Sequence, residues 1–403
     1  MAMAVGDYGY PARLADGTRG VGLCTPVVDA ADFALPARIG SARTVVKASV
    51  KNVVDAYRRP ATLAGTDTQT LANLRWVSGW IRKTNIPGDH ELACGAGVDG
   101  RIFKGFGYYY YTFSTQLYEY IKSSNTWESR ASLPDGSLGR YGAVMAHGGG
   151  DIFAGLGAYF PPYYAYLADW LRYSVDDNAW SACADFTGSP RSQAFAVSTG
   201  GHIYVGGGWM WCSSSQLLES YGDIRRYSVE SDSWTVLSPF PTVFPGTSIL
   251  DTSYGVYNVG PAAALCNGKI YVGLECSGSY EGSSFWAYDL ASDSWEACAT
   301  YPTGSIYSGA FSTFAGKIYQ IGLNTVRPLP TASPEKRLYY YTPLADAWDY
   351  EVISGTASPV IREGVIAVAD NEGIYVGDGH AAPYHNPQWW LYSPALRPYG
   401  IPI

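Results

Sequence analysis

Charge is scarce in this chain: Asp, Glu, Lys and Arg together make up 15% of 403 residues. The 27 basic residues are outnumbered by 35 acidic ones, for a net charge of -8, and no basic run exceeds the pairs Arg58-Arg59 and Arg225-Arg226. Duplex nucleic acid is excluded as the expected partner, because binding through counterion release needs a dense cationic face. Long apolar runs are missing too. No segment approaches 18 consecutive apolar residues, so no helical membrane span is expected. The first residues, MAMAVGDYGYPARLADG, lack a basic region followed by an apolar one and do not read as a secretory signal. Seven Cys residues, an odd number in a long chain, argue against a complete disulfide framework. Synthesis in a reducing cytoplasm is the expectation.

Aromatic residues are plentiful, with 34 Tyr, 13 Trp and 13 Phe. They recur in register. A strand-like Ile followed by Phe or Tyr appears at Ile102, Ile152, Ile203, Ile270, Ile318 and Ile374. After each comes an aromatic pair seven residues apart: Tyr120/Trp127, Tyr173/Trp180, Tyr227/Trp234, Tyr288/Trp295, Tyr341/Trp348 and, with Tyr in place of Trp, Tyr392/Tyr399. Successive Trp anchors lie 53, 54, 61 and 53 residues apart, the period of a small antiparallel sheet. One such unit cannot bury its own faces, so the units must stack and close into a ring.

Aligned, each unit reads as four short strands. Strand a is rich in small and branched residues, as in RYGAVMA from Arg140. A Gly-containing tight turn leads to strand b, as in HIYVGGG. Strand c ends on the repeat Tyr, with Leu117, Trp170, Ile224, Phe285, Leu338 or Trp389 three positions earlier, and strand d carries the anchor Trp. Radial packing of such four-stranded blades is the expected architecture. The segment GGHIYVGGG, followed by Tyr227 and Trp234, resembles a kelch repeat. The resemblance covers roughly residues 66–403 and implies an all-β, six-bladed kelch-like β-propeller. The paired Gly that ends strand b in kelch repeats is intact only at Gly206-Gly207.

Closure can be read from spacing. Trp76 precedes Ile102 by 26 residues, much as the other anchors precede the next strand b, so an N-terminal strand around Trp76 is expected to complete the last blade beside residues 360–392. The tail after Tyr392 competes for that role. Residues 1–65 do not repeat and read as an extended, nonrepetitive N-terminal arm. Val46, Val50, Val53/Val54 and Tyr57 form a helical stripe there and point to one short helix, with a strand nearly as open because of their β-branching.

Function is expected on one face. Loops a to b and c to d are uniformly tight, whereas the Ile-to-Tyr distances spanning the b to c loops are 18, 21, 24, 18, 23 and 18. Variation confined to one face marks recognition. These loops carry Tyr109, Tyr110 and Tyr111, then Tyr159, Phe160, Tyr163 and Tyr164, then Trp209 and Trp211, and singly Tyr280 and Tyr384. Tyr and Trp among Ser, Gly and Asn give large contact area at low entropic cost, and aromatic platforms also stack on sugars. About half of these positions are expected simply to prolong strands and pack on the next blade. Arg140 and Arg191, each before a strand a, face the same choice between touching ligand and tying blades together.

Catalytic signals are weak. Asp185, Glu219, Asp251, Glu275 and Asp378 fall in the variable loops but share no motif, so they read as solvated acids; His380 and His385 read likewise, and no metal or cofactor is expected. Cys183 and Cys298, each three residues after an anchor Trp, read as equivalent small core residues, and Cys266 and Cys276 flank one strand. The first functional reading is therefore a non-enzymatic binding or structural subunit of a larger assembly, contacting protein subunits through its arm. A bacteriophage virion component is its most specific form, with a glycan or host receptor on the aromatic face. The second reading is a carbohydrate-binding or sialic-acid-processing protein of kelch type.

Overall fold

The computed structural model describes residues 79–393, apart from 89, 110–111, 161–164, 213–216, 242–260, 274–283, 303–306, 324–335, 354–363, 382–383 and 386, together with four short strands before residue 79. Those four strands form two hairpins, Tyr10–Arg13 with Arg19–Gly22 and Asp32–Leu35 with Val46–Ser49. Val46 therefore begins a strand, and the helical stripe is not used there. Tyr57 lies outside the described residues.

Residues from Gly79 onward build six four-stranded antiparallel sheets. In blade one the strands a to d are Cys94–Val98, Arg101–Gly105, Leu117–Ile121 and Thr126–Arg130. Blade three repeats the order with Phe195–Thr199, His202–Gly206, Ile224–Ser228 and Ser233–Val236. Strand a of each blade packs on strand a of the next, and that of blade six, Ile366–Ala369, packs on that of blade one. The ring is closed.

Strands b are buried almost throughout, because both their faces meet neighbouring blades; Asp151–Gly155 has no exposed residue. Six apolar clusters fill the six seams. The residue three before each repeat Tyr is at most 1% exposed in every blade. It packs on the anchor Trp of the following blade: Trp170 meets Trp234 at 5.2 Å, Phe285 meets Trp348 at 4.9 Å and Trp389 meets Trp127 at 5.2 Å. The anchors themselves are half-buried and the paired Tyr rings fully buried, so Tyr is the deeper member of each pair.

A polar clasp accompanies this packing at five seams. The turn after the repeat Tyr places Asn125, Asn178, Asp232, Asp293 or Asp346 in the left-handed region, φ 45 to 54°, where Asn and Asp are tolerated. Its side-chain oxygen accepts from the Tyr hydroxyl of its own blade, as in Tyr173 to Asn178 at 2.8 Å, and from a backbone N–H of the preceding blade, as in Ala131 to Asn178 at 2.8 Å. The same Ala131 accepts from the Trp180 indole N–H at 2.8 Å. Thr84, Ala184, Ser238 and Ala299 repeat the arrangement. Cys183 and Cys298, both half-buried, donate equivalent backbone bonds to Trp170 and Phe285; Cys276 lies outside the described residues.

The last blade is completed by Gly79–Lys83, beside Trp389–Ser393. An N-terminal strand thus closes the ring as the spacing predicts, but the buried anchor is Trp80. Trp76 and Tyr399 lie outside the described residues, and the ring paired with Tyr392 is Trp80, 5.0 Å away. The tail does not supply this outer strand.

Candidate functional site

The b to c loops are hairpins that rise from the ends of strands b. Tyr108–Tyr109 pairs with Thr112–Phe113, Ala158–Tyr159 with Ala165–Tyr166, Trp209–Cys212 with Leu217–Ser220, and His380–Ala381 with Tyr384–His385. Each of the first three is tied to the segment entering strand a of the same or next blade, through the bridges Glu91 to Tyr108, Tyr141 to Ala158 and Ser192 to Trp209. Gly107 also donates to the Arg140 carbonyl, and Gly157 to that of Arg191, both at 2.8 Å. The b to c and d to a loops therefore share one face.

Aromatic rings converge there. Phe113 lies 5.2 Å from Tyr159 and 5.0 Å from Phe160, while Tyr108 lies 5.4 Å from Tyr141 and 6.4 Å from Phe160. Tyr166 meets Trp209 edge-on at 6.1 Å across the next pair of hairpins. Tyr109 is 37% exposed, and Trp209 and Trp211 are half-buried. Tyr159 and Phe160 are thus brought together with Tyr108, Phe113 and Tyr141, three rings that counting loop tips overlooked. Tyr110, Tyr111, Tyr163, Tyr164 and Tyr280 lie outside the described residues, and Tyr384 is described only as a strand residue.

Arg140 and Arg191 are both 1% exposed. Arg140 makes a two-pronged pair with Asp169, 2.5 and 2.8 Å, and reaches the Leu156 carbonyl. Arg191 pairs likewise with Asp223 and bonds the Gly207 carbonyl at 3.0 Å, its guanidinium stacked 4.1 Å over Tyr221. Burial acts to raise the Asp223 carboxyl, but the bonds from Arg191 and Arg225 outweigh it and hold it below the usual carboxylate range. Both guanidiniums tie the start of strand a to the approach to strand c.

Blade one departs from this pattern. His90 stands where blades two and three have Arg140 and Arg191, and Gln116 where they have Asp169 and Asp223. The His90 Nδ1 lies 3.2 Å from the Lys104 ammonium, which also pairs with Asp378 of blade six at 3.1 Å. The Lys104 and Asp378 side chains are 1% and 2% exposed. Asp378 is therefore not a solvated loop acid as its position suggested. Burial against blade one and the Lys104 charge explain why. Asp185 and Glu219 are exposed, while Asp251 and Glu275 lie outside the described residues. The side chains of His380 and His385 are likewise not described, and among the described residues no three His, Cys, Asp or Glu converge as metal ligands.

Residues 190–241, the third blade, match the model of the Kelch motif. The chain is a kelch-repeat β-propeller. Among curated proteins this kelch propeller is similar to N-acetylneuraminate epimerase of Escherichia coli O157:H7, 31% identical over 86 residues, which are 21% of this chain and 22% of that protein. The same extent and identity hold for the proteins of that name from Escherichia coli K12 and Shigella flexneri serotype 5b. The match thus spans about a fifth of these relatives' length. Among solved structures, the one described as "Structure of YjhT" superposes with a TM-score of 0.56 over 75% of this chain and 94% of that one, at 13% identity, a likeness of fold alone.

Proposed function

We propose that this kelch propeller is a carbohydrate-directed protein that recognises a sialic-acid-type sugar, a carboxylated and N-acetylated sugar acid, on its hairpin face. The observation that carries this reading is the convergence of Tyr108, Phe113, Tyr141, Tyr159 and Phe160 between the hairpins of blades one and two. Aromatic rings present flat apolar faces to the C–H face of a sugar while neighbouring polar groups take its hydroxyls. The partial likeness to proteins named for N-acetylneuraminate supports the choice of sugar. The assembly-subunit reading, with its virion form, rests on the nonrepetitive arm, the lack of a secretory signal and the aromatic face, with no similar protein in support, and the carbohydrate reading takes its place.

Saturation-transfer NMR of the protein with N-acetylneuraminate tests the reading, with glucose as the control. Transfer to the N-acetyl and ring protons of the sugar acid alone is the expected result. Equal or absent transfer for both sugars overturns it.

A further inference from the structure

Repetition makes departures from the repeat informative. The polar clasp joins a blade to the one before it at five seams, and the seam between blades five and six is built differently. There the Trp80 indole N–H is buried without a hydrogen-bond partner among the described residues. A buried donor left unpaired keeps its full desolvation cost. The difference has a cause on each side of the seam. On blade six, strand c ends at Ser393 and strand d is Gly79–Lys83 from the other end of the chain, so the turn that carries Asn178 or Asp232 in other blades does not exist. On blade five, Val352 is the residue four after the anchor Trp348, the place of Ala131, Ala184, Ser238 and Ala299. Those four lie beyond the ends of their strands d, with N–H and carbonyl turned to the next blade. Strand d of blade five is longer, Ala347–Ile353, and Val352 stays paired with Arg337 inside it. In place of the clasp, the Tyr392 hydroxyl donates to the Glu351 carboxylate of blade five.

The far end of the same strand is held normally. The Thr84 N–H donates to the Asn125 side chain at 3.0 Å, the Thr84 carbonyl accepts from the Trp127 indole at 3.3 Å, and the Ile86 N–H bonds the Pro387 carbonyl at 2.8 Å. Gly79 is where the packing of the ring stops: residues Trp80–Tyr392 form one compact unit, and Met1–Gly79 with Ser393–Ile403 form another. The strand is therefore anchored at Thr84 and Ile86 and unclasped at Gly79 and Trp80. In the other five blades a four-residue turn keeps strand d beside strand c. Here the covalent link between the two runs through the whole ring, so no short loop returns a detached strand to its place.

We propose that Gly79–Lys83 is a releasable strap, hinged at Thr84, which leaves blade six while the other seams stay shut, and that the hydrogen bond from Tyr392 to Glu351 is its latch. Tyr392 carries the ring on which Trp80 packs at 5.0 Å, and Glu351 fixes that ring against blade five. The strap peels from Gly79 towards the hinge. Its release uncovers Trp390 and Tyr392, both buried in the closed ring, along the edge of Trp389–Ser393. Opening of this kind moves one element between docked and free states without global unfolding.

Hydrogen–deuterium exchange of the full chain, read by mass spectrometry at low urea, tests the strap. Amides of Gly79–Lys83 should exchange at least about tenfold faster than those of the outer strands Thr126–Arg130 and Ser233–Val236, through an opening insensitive to urea. The peptide containing Thr84 and Ile86 should stay protected. Glu351→Ala should speed the strap about tenfold further and leave the other outer strands unchanged, and Glu351→Gln, which keeps an acceptor, should restore most of the protection. A strap that exchanges no faster than the other outer strands overturns the inference. So does a Glu351→Ala variant that leaves the strap unchanged or speeds every strand alike.

Discussion

Trp80 lies 5.0 Å from Tyr392 with an interplanar angle of 44°, the geometry that the other five blades achieve between a Tyr and a Trp seven residues apart. The relationship extends one step further. Thr84, four residues after Trp80, meets Asn125 and Trp127 as Ala131, four after Trp127, meets Asn178 and Trp180. A strand from the other end of the ring is thus read by the fold as the missing quarter of blade six.

Trp80→Ala should therefore destabilise the protein about as much as Trp234→Ala. Both remove an indole from a seam, and the half-buried state of Trp234 puts its cost near the lower end of the ~3–5 kcal/mol typical of Trp→Ala. Thermal unfolding checks this. A Trp80→Ala midpoint unchanged from the parent protein counts against closure by this strand.

The clasp makes a sharper prediction at one position. Asp232 accepts from the Tyr227 hydroxyl at 2.7 Å and from the Ala184 N–H at 2.8 Å, the work that Asn125 and Asn178 do in blades one and two. Asp232→Asn should be nearly neutral. Asp232→Ala loses both bonds and a residue suited to positive φ, and should cost about 1–3 kcal/mol in urea unfolding.

Acid should loosen the ring. The Tyr288 hydroxyl and the Ser238 N–H lower the Asp293 carboxyl, and the Tyr341 hydroxyl and the Ala299 N–H lower that of Asp346, each from an ordinary value of 3.8. A carboxylate depressed in the folded state contributes stability that is present above its unfolded value and lost as pH falls through the lower folded one. The urea midpoint should fall as the pH drops below 3.8, the ordinary value, and Asp346→Asn should make that fall shallower. A midpoint rising over that range would contradict the clasp.

Arg191→Met leaves Asp223 partly buried without its two-pronged partner and should cost about 3 kcal/mol. Tyr109→Ala, at an exposed loop tip, should leave the melting temperature unchanged and weaken sugar binding about tenfold, ~1.4 kcal/mol. Calorimetric melts and sugar titrations of the two variants separate the tie between strands from the recognition surface.

Much of this was legible because local rules repeat. The seven-residue Tyr-to-Trp spacing is a hairpin, and hairpins are local. The anchor of blade six was misplaced from Trp80 to Trp76, and Tyr392 was matched to Tyr399, because that pairing joins chain segments that no local period connects. The site shows the same division. Uneven Ile-to-Tyr distances disclosed the hairpins, and the Tyr-rich loops disclosed Tyr159, Phe160 and Trp209. The Lys104 and Asp378 pair was missed, since its members come from the first and last blades. The signal was a Lys at a strand b position where four blades carry Ala or Val.

The residues that shut the ring are made first and used last. Trp80 leaves the ribosome before any complete blade, yet its partner Tyr392 is among the last of the ring to appear, so the closing strand must wait for nearly the whole chain. Until then blade six has an open edge at Trp389–Ser393, able to pair with a strand of another nascent chain. Contacts so distant in sequence also slow the search for the native state. Assembly of the last seam is thus a race between self-closure and exchange with a neighbour, decided by how quickly a short segment ending at Lys83 finds an edge made some 300 residues later.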